Sequence, residues 1–185
     1  MTRIGQWEAV AVAGLFIIAA YGAVAGGIVA PLGDDSGTAS TATPTPTSDS
    51  ATVHSDYETT AVTVVDSDTD EELGAVTAAI ADNSSLRYTG LSETDDLPEE
   101  RGMLFTYGSE RNLTYVMREM SFAIDIVYIA ENGTITSIHH APEPGPDEDG
   151  ESQRYSGRGQ YVLEVNYNWT TDRGVDVGDR VQFDL

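Results

Sequence analysis

From Ala9 to Leu32 the chain runs for 24 residues without a charge, built of Ala, Val, Gly, Ile, Leu and Phe with one Tyr and one Pro. A helix rises about 1.5 Å per residue, so this run reaches about 36 Å, slightly more than a hydrocarbon core of about 30 Å. Such a helix satisfies every backbone polar group internally, which a bilayer demands. Trp7 sits at one end, where an amphipathic ring favours the interface. Arg3 precedes the run, and Asp34 and Asp35 follow it. The positive-inside rule then puts residues 1–6 in the cytoplasm and everything after residue 33 outside. The expectation is a single-pass anchor in the cell membrane, meeting the lipid bilayer through residues 9–32, with an extracellular C-terminal domain. The alternative is secretion after cleavage near Ala25, since Ala23-Val24-Ala25 fits a small-residue cleavage pattern. Secretory apolar regions are usually about 7–15 residues, shorter than this one. Both readings export the rest.

Residues 34–60 are dominated by Ser, Thr, Asp and Pro and read as an extended, disordered spacer. His54 lies in it and is assigned no role. Residues 61–185 are enough for one ordinary domain. Four N-x-Ser/Thr sequons, at Asn83, Asn112, Asn132 and Asn168, agree with export and with surface exposure at those points.

The chain has nine Arg, no Lys and 31 acidic residues, a net charge of −22. Residues 61–185 carry 25 of the acids against 8 Arg, spread evenly. Phosphate binding needs clustered cations, so nucleic acid is excluded as a partner. A lysine-free acidic surface resembles the haloarchaeal pattern, suited to molar salt, where charge is screened within about 3 Å. With no Cys there is neither a disulfide nor a thiolate site.

Apolar runs at Ala61–Asp66, Leu73–Ala81, Gly102–Tyr107, Leu113–Met117, Ile124–Ala130, Thr134–His139, Gln160–Val165 and Arg180–Leu185 predict strands. Asn83 is placed to cap a short helix, Ser84–Thr89, ended by Gly90, and Trp169–Arg173 predicts a helical turn. Leu91–Arg101 and Ala141–Arg158 read as loops. The fold class is α+β and β-rich: a partly closed barrel or roll of short, mostly antiparallel strands with one or two short helices.

Asn132-Gly133 between two apolar runs is a strong hairpin signal. A two-residue loop there pairs Asp125 with His140 and Ile126 with His139. A carboxylate beside an imidazole raises its pKa and fixes its tautomer, as acid–base chemistry needs, but a structural cross-strand pair is the plainer reading. His139 and His140 point to opposite faces of a strand and so do not share an ion. Asp66-Ser67-Asp68-Thr69-Asp70 begins like a calcium loop but has Glu71 and Thr77 where Gly and Glu are required, so it reads as an acidic turn. Tyr155-Ser156-Gly157-Arg158-Gly159 lacks a phosphate-loop pattern and reads as a loop. No metal site and no cofactor fingerprint emerge.

In order and spacing, several segments resemble one family. They are Arg87-Tyr88-Thr89-Gly90-Leu91, Gly102-Met103-Leu104-Phe105, Tyr115-Val116-Met117, Ile124-Asp125-Ile126-Val127-Tyr128-Ile129, Ala141-Pro142, Tyr155-Ser156, Tyr161-Val162-Leu163-Glu164 and Gly178-Asp179-Arg180-Val181. The family is the domain of unknown function 192 (uncharacterised protein family 0127). The resemblance implies a compact, often exported β-rich domain with no established activity, and makes Tyr115, Met117 and Tyr155 candidate ligand-binding residues. Where the family has Phe-Trp-Met-Lys-Asn, this chain has Tyr115-Val116-Met117-Arg118-Glu119. The functional expectation is a membrane-tethered extracellular domain with a non-enzymatic binding or envelope role and an envelope or peptide ligand. The alternative is a small hydrolase or ligand-modifying enzyme using Asp125, His140 and Arg118, which requires these three to converge in one pocket. A third reading is peptide capture at an open sheet edge.

Overall fold

Alternating apolar residues build seven strands in the computed structural model, which describes residues 54–185. The apolar run and most of the spacer lie outside the described residues. Within them no helix is long and apolar enough to cross a membrane. The strands are β1 (Thr59–Val65), β2 (Glu72–Ala81), β3 (Arg101–Val116), β4 (Ile124–Ile129), β5 (Ile135–Ala141), β6 (Arg154–Asn166) and β7 (Arg180–Gln182). Two short helices accompany them, α1 (Ser84–Thr89) and α2 (Trp169–Arg173).

The strands form one sheet in the order β5-β4-β6-β3-β2-β1-β7. Every neighbouring pair is antiparallel except β2–β3, whose parallel pairing needs a crossover. That crossover is α1 and the acidic loop behind it. The sheet curls into a half-barrel whose edges meet at one end. Thr134 bridges Arg180, and Ile135 and Val181 donate backbone N–H groups to Asp179 and Gly133 at 2.8 Å each. Gly133 permits this approach, since a Cβ there would stand 2.8 Å from the Val181 carbonyl oxygen.

Both faces are buried. The inner core takes residues from all seven strands, including Val62, Val76, Leu104, Val127, Ile135, Leu163 and Val181, and α2 plugs it with Trp169. The outer core gathers Met103, Phe105, Ile126, Tyr128 and Val162 beneath Leu91, Leu97 and Met117 from the connections. Strand β4, buried at every position, separates the two.

Local signals hold well. Asn83 caps α1, accepting from Ser85 and Leu86 N–H at 3.0 and 3.1 Å, and Gly90 ends it at φ 51°. Asp66 organises the acidic turn by accepting from Asp68 N, Thr69 N and Thr69 Oγ1. These hydrogen bonds hold its carboxyl below the usual range.

Four expectations change. Residues 54–60, read as spacer, pack on the domain: His54 Nε2 lies 2.8 Å from Thr94 Oγ1, Tyr57 joins the outer core, and β1 begins at Thr59. Gly102–Tyr107 and Leu113–Met117 are one strand, β3, whose register shifts between Thr106 and Arg111. Tyr155–Gly159 is strand β6, not loop, because the long arm of β3 pairs with it. Its Gly157 gives room to the Tyr128 ring, which a Cβ would strike. The hairpin loop holds three residues, Glu131 to Gly133, with Gly133 at φ 85° and Ala130 N–H bonded to Thr134 O. A register shift beyond Tyr128 leaves Thr136 as an extra residue, which restores the expected pairing of Asp125 with His140.

Candidate functional site

The Asp125–His140 pair forms as expected, and its surroundings define its work. Asp125 is completely buried at the start of β4. His140 Nδ1 donates to its Oδ1 at 2.7 Å. So does Asn168 N–H at 3.0 Å, while Thr170 donates to Oδ2 through both N–H (2.9 Å) and Oγ1 (2.6 Å). Asn168 holds a left-handed conformation at φ 64° and makes no side-chain cap to α2. Asp125 therefore caps that helix from another strand. Four donors occupy its two oxygens, so it fastens α2 to the sheet and presents no spare lone pair aimed at a substrate.

Arg118 is elsewhere. Neighbouring strand residues point to opposite faces, so Ile124 faces the outer core while Asp125 faces inward. Arg118 lies on the outer side, over the Tyr88 ring at 4.0 Å, donating to the Tyr88 carbonyl. The three residues required for the hydrolase alternative thus fall on two faces.

On that outer side lies a cleft of about 190 Å³ between α1, the crossover and β3. Arg87 and Tyr88 come from α1, Tyr107 from the irregular stretch of β3, Tyr115 from its far arm, and Glu164 from near the end of β6. The hydroxyls of Tyr107 and Tyr115 lie 3.0 Å apart. Burial first, then Tyr107 and Glu164, hold the Tyr115 hydroxyl above the ordinary tyrosine range. Arg87 is fixed by donating through one Nη to the carbonyls of Asp82 (2.6 Å) and Thr106 (2.9 Å), and stacks 4.9 Å from the Tyr107 ring.

Glu164 is the residue missed from the sequence. It is 5 % exposed, lines the cleft, and makes no hydrogen bond or ion pair among the described residues. Burial pushes its carboxyl up to about 8. The signal was an acid at the core-facing beat of the apolar strand Tyr161-Val162-Leu163-Glu164-Val165, two residues after Val162. A wider, open groove of about 640 Å³ near Tyr161, Val181 and Phe183 holds no comparable buried charge.

The remaining candidates separate. Of the ligand-binding candidates Tyr115 lines the cleft, Met117 is fully buried in the outer core, and Tyr155 packs against the His139 ring. His139 accordingly faces away from His140, bonding through Nε2 to Ser156 O at 3.0 Å. Asn83, Asn112, Asn132 and Asn168 are all exposed. In the acidic loop before β6, Asp149 accepts from Glu151 N–H and Glu148 from Gly145 N–H, while the Glu151 carboxylate lies 4.0 Å from Arg118. Among the described residues no cluster of three or more His, Asp or Glu could hold a metal ion.

The half-barrel has solved counterparts. A protein from Sinorhizobium meliloti 1021, put forward as a transcription regulator, is 26 % identical with a TM-score of 0.61, over 69 % of this chain and 95 % of its own. A protein of unknown function from Novosphingobium aromaticivorans DSM 12444 shares the fold at 24 % identity and a TM-score of 0.54, over 66 % of this chain and 83 % of its own. No curated protein matches the sequence. The family model described as "DUF192: Uncharacterized ACR, COG1430" covers residues 64–183. That span takes in all seven strands from the end of β1 onward, the cleft and the Asp125 cap, and the chain belongs to this family.

Proposed function

We propose that this protein is a non-enzymatic ligand-binding domain, held outside the cell by the Ala9–Leu32 anchor at the end of a Ser/Thr/Pro spacer. The observation that carries the binding role is Glu164: a side chain only 5 % exposed, without a hydrogen bond or ion pair among the described residues, in a cleft lined also by aromatic rings, two guanidiniums, the hydroxyls of Thr89, Ser92 and Thr114 and aliphatic side chains. A buried carboxyl without a partner is costly whether it is ionised or holds its proton, so such groups concentrate where a ligand is received. The one catalytic pair legible in the sequence is committed to capping α2, which supports binding over catalysis. Transcription regulation, put forward for the Sinorhizobium protein, asks for cations against phosphate, and an excess of 17 acids over residues 61–185 opposes it.

Thermal unfolding of the full chain at molar salt, with a panel of small metabolites, tests the binding role. A compound that raises Tm for the natural protein but not for Ser92→Trp, which fills the cleft, is the expected result. A panel without effect, or a ligand indifferent to Ser92→Trp, overturns it. For the anchor, the chain is expected to stay with membranes after carbonate washing and to be protease-accessible on intact cells. Its release by the wash would sink the tether.

A further inference from the structure

Polar groups in the cleft are graded by depth. Glu164 is the buried end. Phe105, Tyr107 and Tyr115 line the space with it, and Arg87 and Arg118 sit farther out, the Arg118 side chain 23 % exposed. We propose that the cleft takes a small zwitterion of the α-amino-acid type, its primary ammonium against the Glu164 carboxyl and its carboxylate toward Arg87 and Arg118. This rests on the ligand-binding reading above.

Each simpler ligand leaves one part of the cleft unserved. A plain anion suits the guanidiniums and can accept the proton that Glu164 holds, but it leaves the aromatic faces around Glu164 without a cation. A plain cation suits Glu164 and the ring faces but meets two guanidiniums. A neutral apolar molecule would seal Glu164 away without a donor, a costly arrangement. A primary ammonium brings three N–H donors to a carboxyl that has none among the described residues, and aromatic faces attract it as well. The guanidiniums are pre-positioned: one Nη of Arg87 holds two carbonyls, and Arg118 is fixed by the Tyr88 ring and carbonyl. Arg118 Nη1 also lies 4.0 Å from the exposed Glu151 carboxylate, a solvent-screened pair, and the guanidinium N–H groups match a carboxylate. At about 190 Å³ the cleft falls below the roughly 300–1,000 Å³ of drug-sized sites, so the ligand is small.

Binding also moves a proton. The titratable and charged groups around Glu164 are Tyr107 and Tyr115 from β3, Tyr128 from β4, Arg87 and Tyr88 from α1, and Arg118 after β3. No cation pairs with it among the described residues. With its carboxyl pushed up to about 8, Glu164 is mostly protonated at pH 7 in the free protein. Receiving an ammonium ionises it, and the proton passes to the buffer.

Titration calorimetry on the full chain at molar salt and pH 7 tests this with L-valine, L-alanine, N,N,N-trimethylglycine, n-propylamine and propionate, in two buffers of different ionisation enthalpy. L-valine or L-alanine is expected to bind at least tenfold tighter than the amine or the acid alone, with proton release. Glu164→Gln should weaken binding tenfold or more and abolish the release. Arg118→Gln should weaken binding to the level of the amine and leave the release intact. Unchanged binding by Glu164→Gln, or no binding of either amino acid, overturns the proposal. Trimethylglycine binding as tightly as L-valine overturns the assignment of N–H donors to Glu164. A neutral metabolite that binds and is displaced by Ser92→Trp, while L-valine does not bind, would retain the cleft as a site and eliminate the zwitterion.

Discussion

Asp125 and Glu164 are both buried carboxyls, on the neighbouring strands β4 and β6, one residue out of register. One residue suffices to send them to opposite faces. Asp125 turns inward and collects four donors, three of them from the start of α2. Glu164 turns outward and collects none among the described residues. Burial alone therefore does not separate a structural acid from a binding one; the count of donors does. A saturated carboxylate holds the fold together, and an unsaturated one keeps its capacity for something else.

The strongest way to break this comparison is Asp125→Ala. It strands buried N–H groups of Asn168 and Thr170 and removes the cap of α2, so stability should fall by about 3–5 kcal/mol, measured by denaturant unfolding at molar salt. A loss below about 1 kcal/mol would return Asp125 to the list of functional candidates.

Glu164→Gln should do the reverse. The folded carboxyl binds its proton more tightly than the unfolded one, so the stability it contributes is complete below its ordinary pKa near 4.5. That contribution is lost as pH rises toward about 8. Melting curves from pH 5 to 9 should show Tm of the natural protein falling and that of Glu164→Gln falling much less. Parallel curves would mean that Glu164 is solvated or paired.

Thr170→Val removes one donor to Asp125 and keeps the shape. A loss of about 1–2 kcal/mol is expected, with binding to the cleft unchanged. The smallest effect belongs to His140→Ala. The imidazole side chain is 42 % exposed, solvent screens the pair, and three donors remain on Asp125, so the loss should stay under about 1 kcal/mol. A larger loss from His140→Ala than from Thr170→Val would make the imidazole, not α2, the partner that matters.

Short-range chemistry was the legible part. The cap at Asn83, the stop at Gly90 and the turn at Asp66 each follow from a few adjacent residues, and all formed. The pairing of Asp125 with His140 was also legible, although two deviations cancel: the loop is one residue longer than expected, and Thr136 bulges to restore the register. Long-range pairing was not legible. Tyr155 to Gly159 has the composition of a loop and becomes a strand only because Arg111–Val116, some forty residues earlier, lies alongside. The cleft escaped for the same reason. Its five principal residues come from α1, two separate parts of β3, the stretch after it and β6, and no local pattern joins them.

The place where the domain begins has a mechanical consequence. Strand β1 is not at the edge of the sheet; β2 flanks it along its whole length and β7 along its last three residues. Thr60 Oγ1 also donates to the Asp184 carbonyl at 2.8 Å, tying its first turn of pairing to the far end of the chain. A pull delivered through the residues before Thr59 would slide β1 lengthwise between two neighbours. The cross-strand hydrogen bonds would then be strained together rather than peeled in succession. Resistance to such a pull is governed by the rate of unfolding rather than by equilibrium stability.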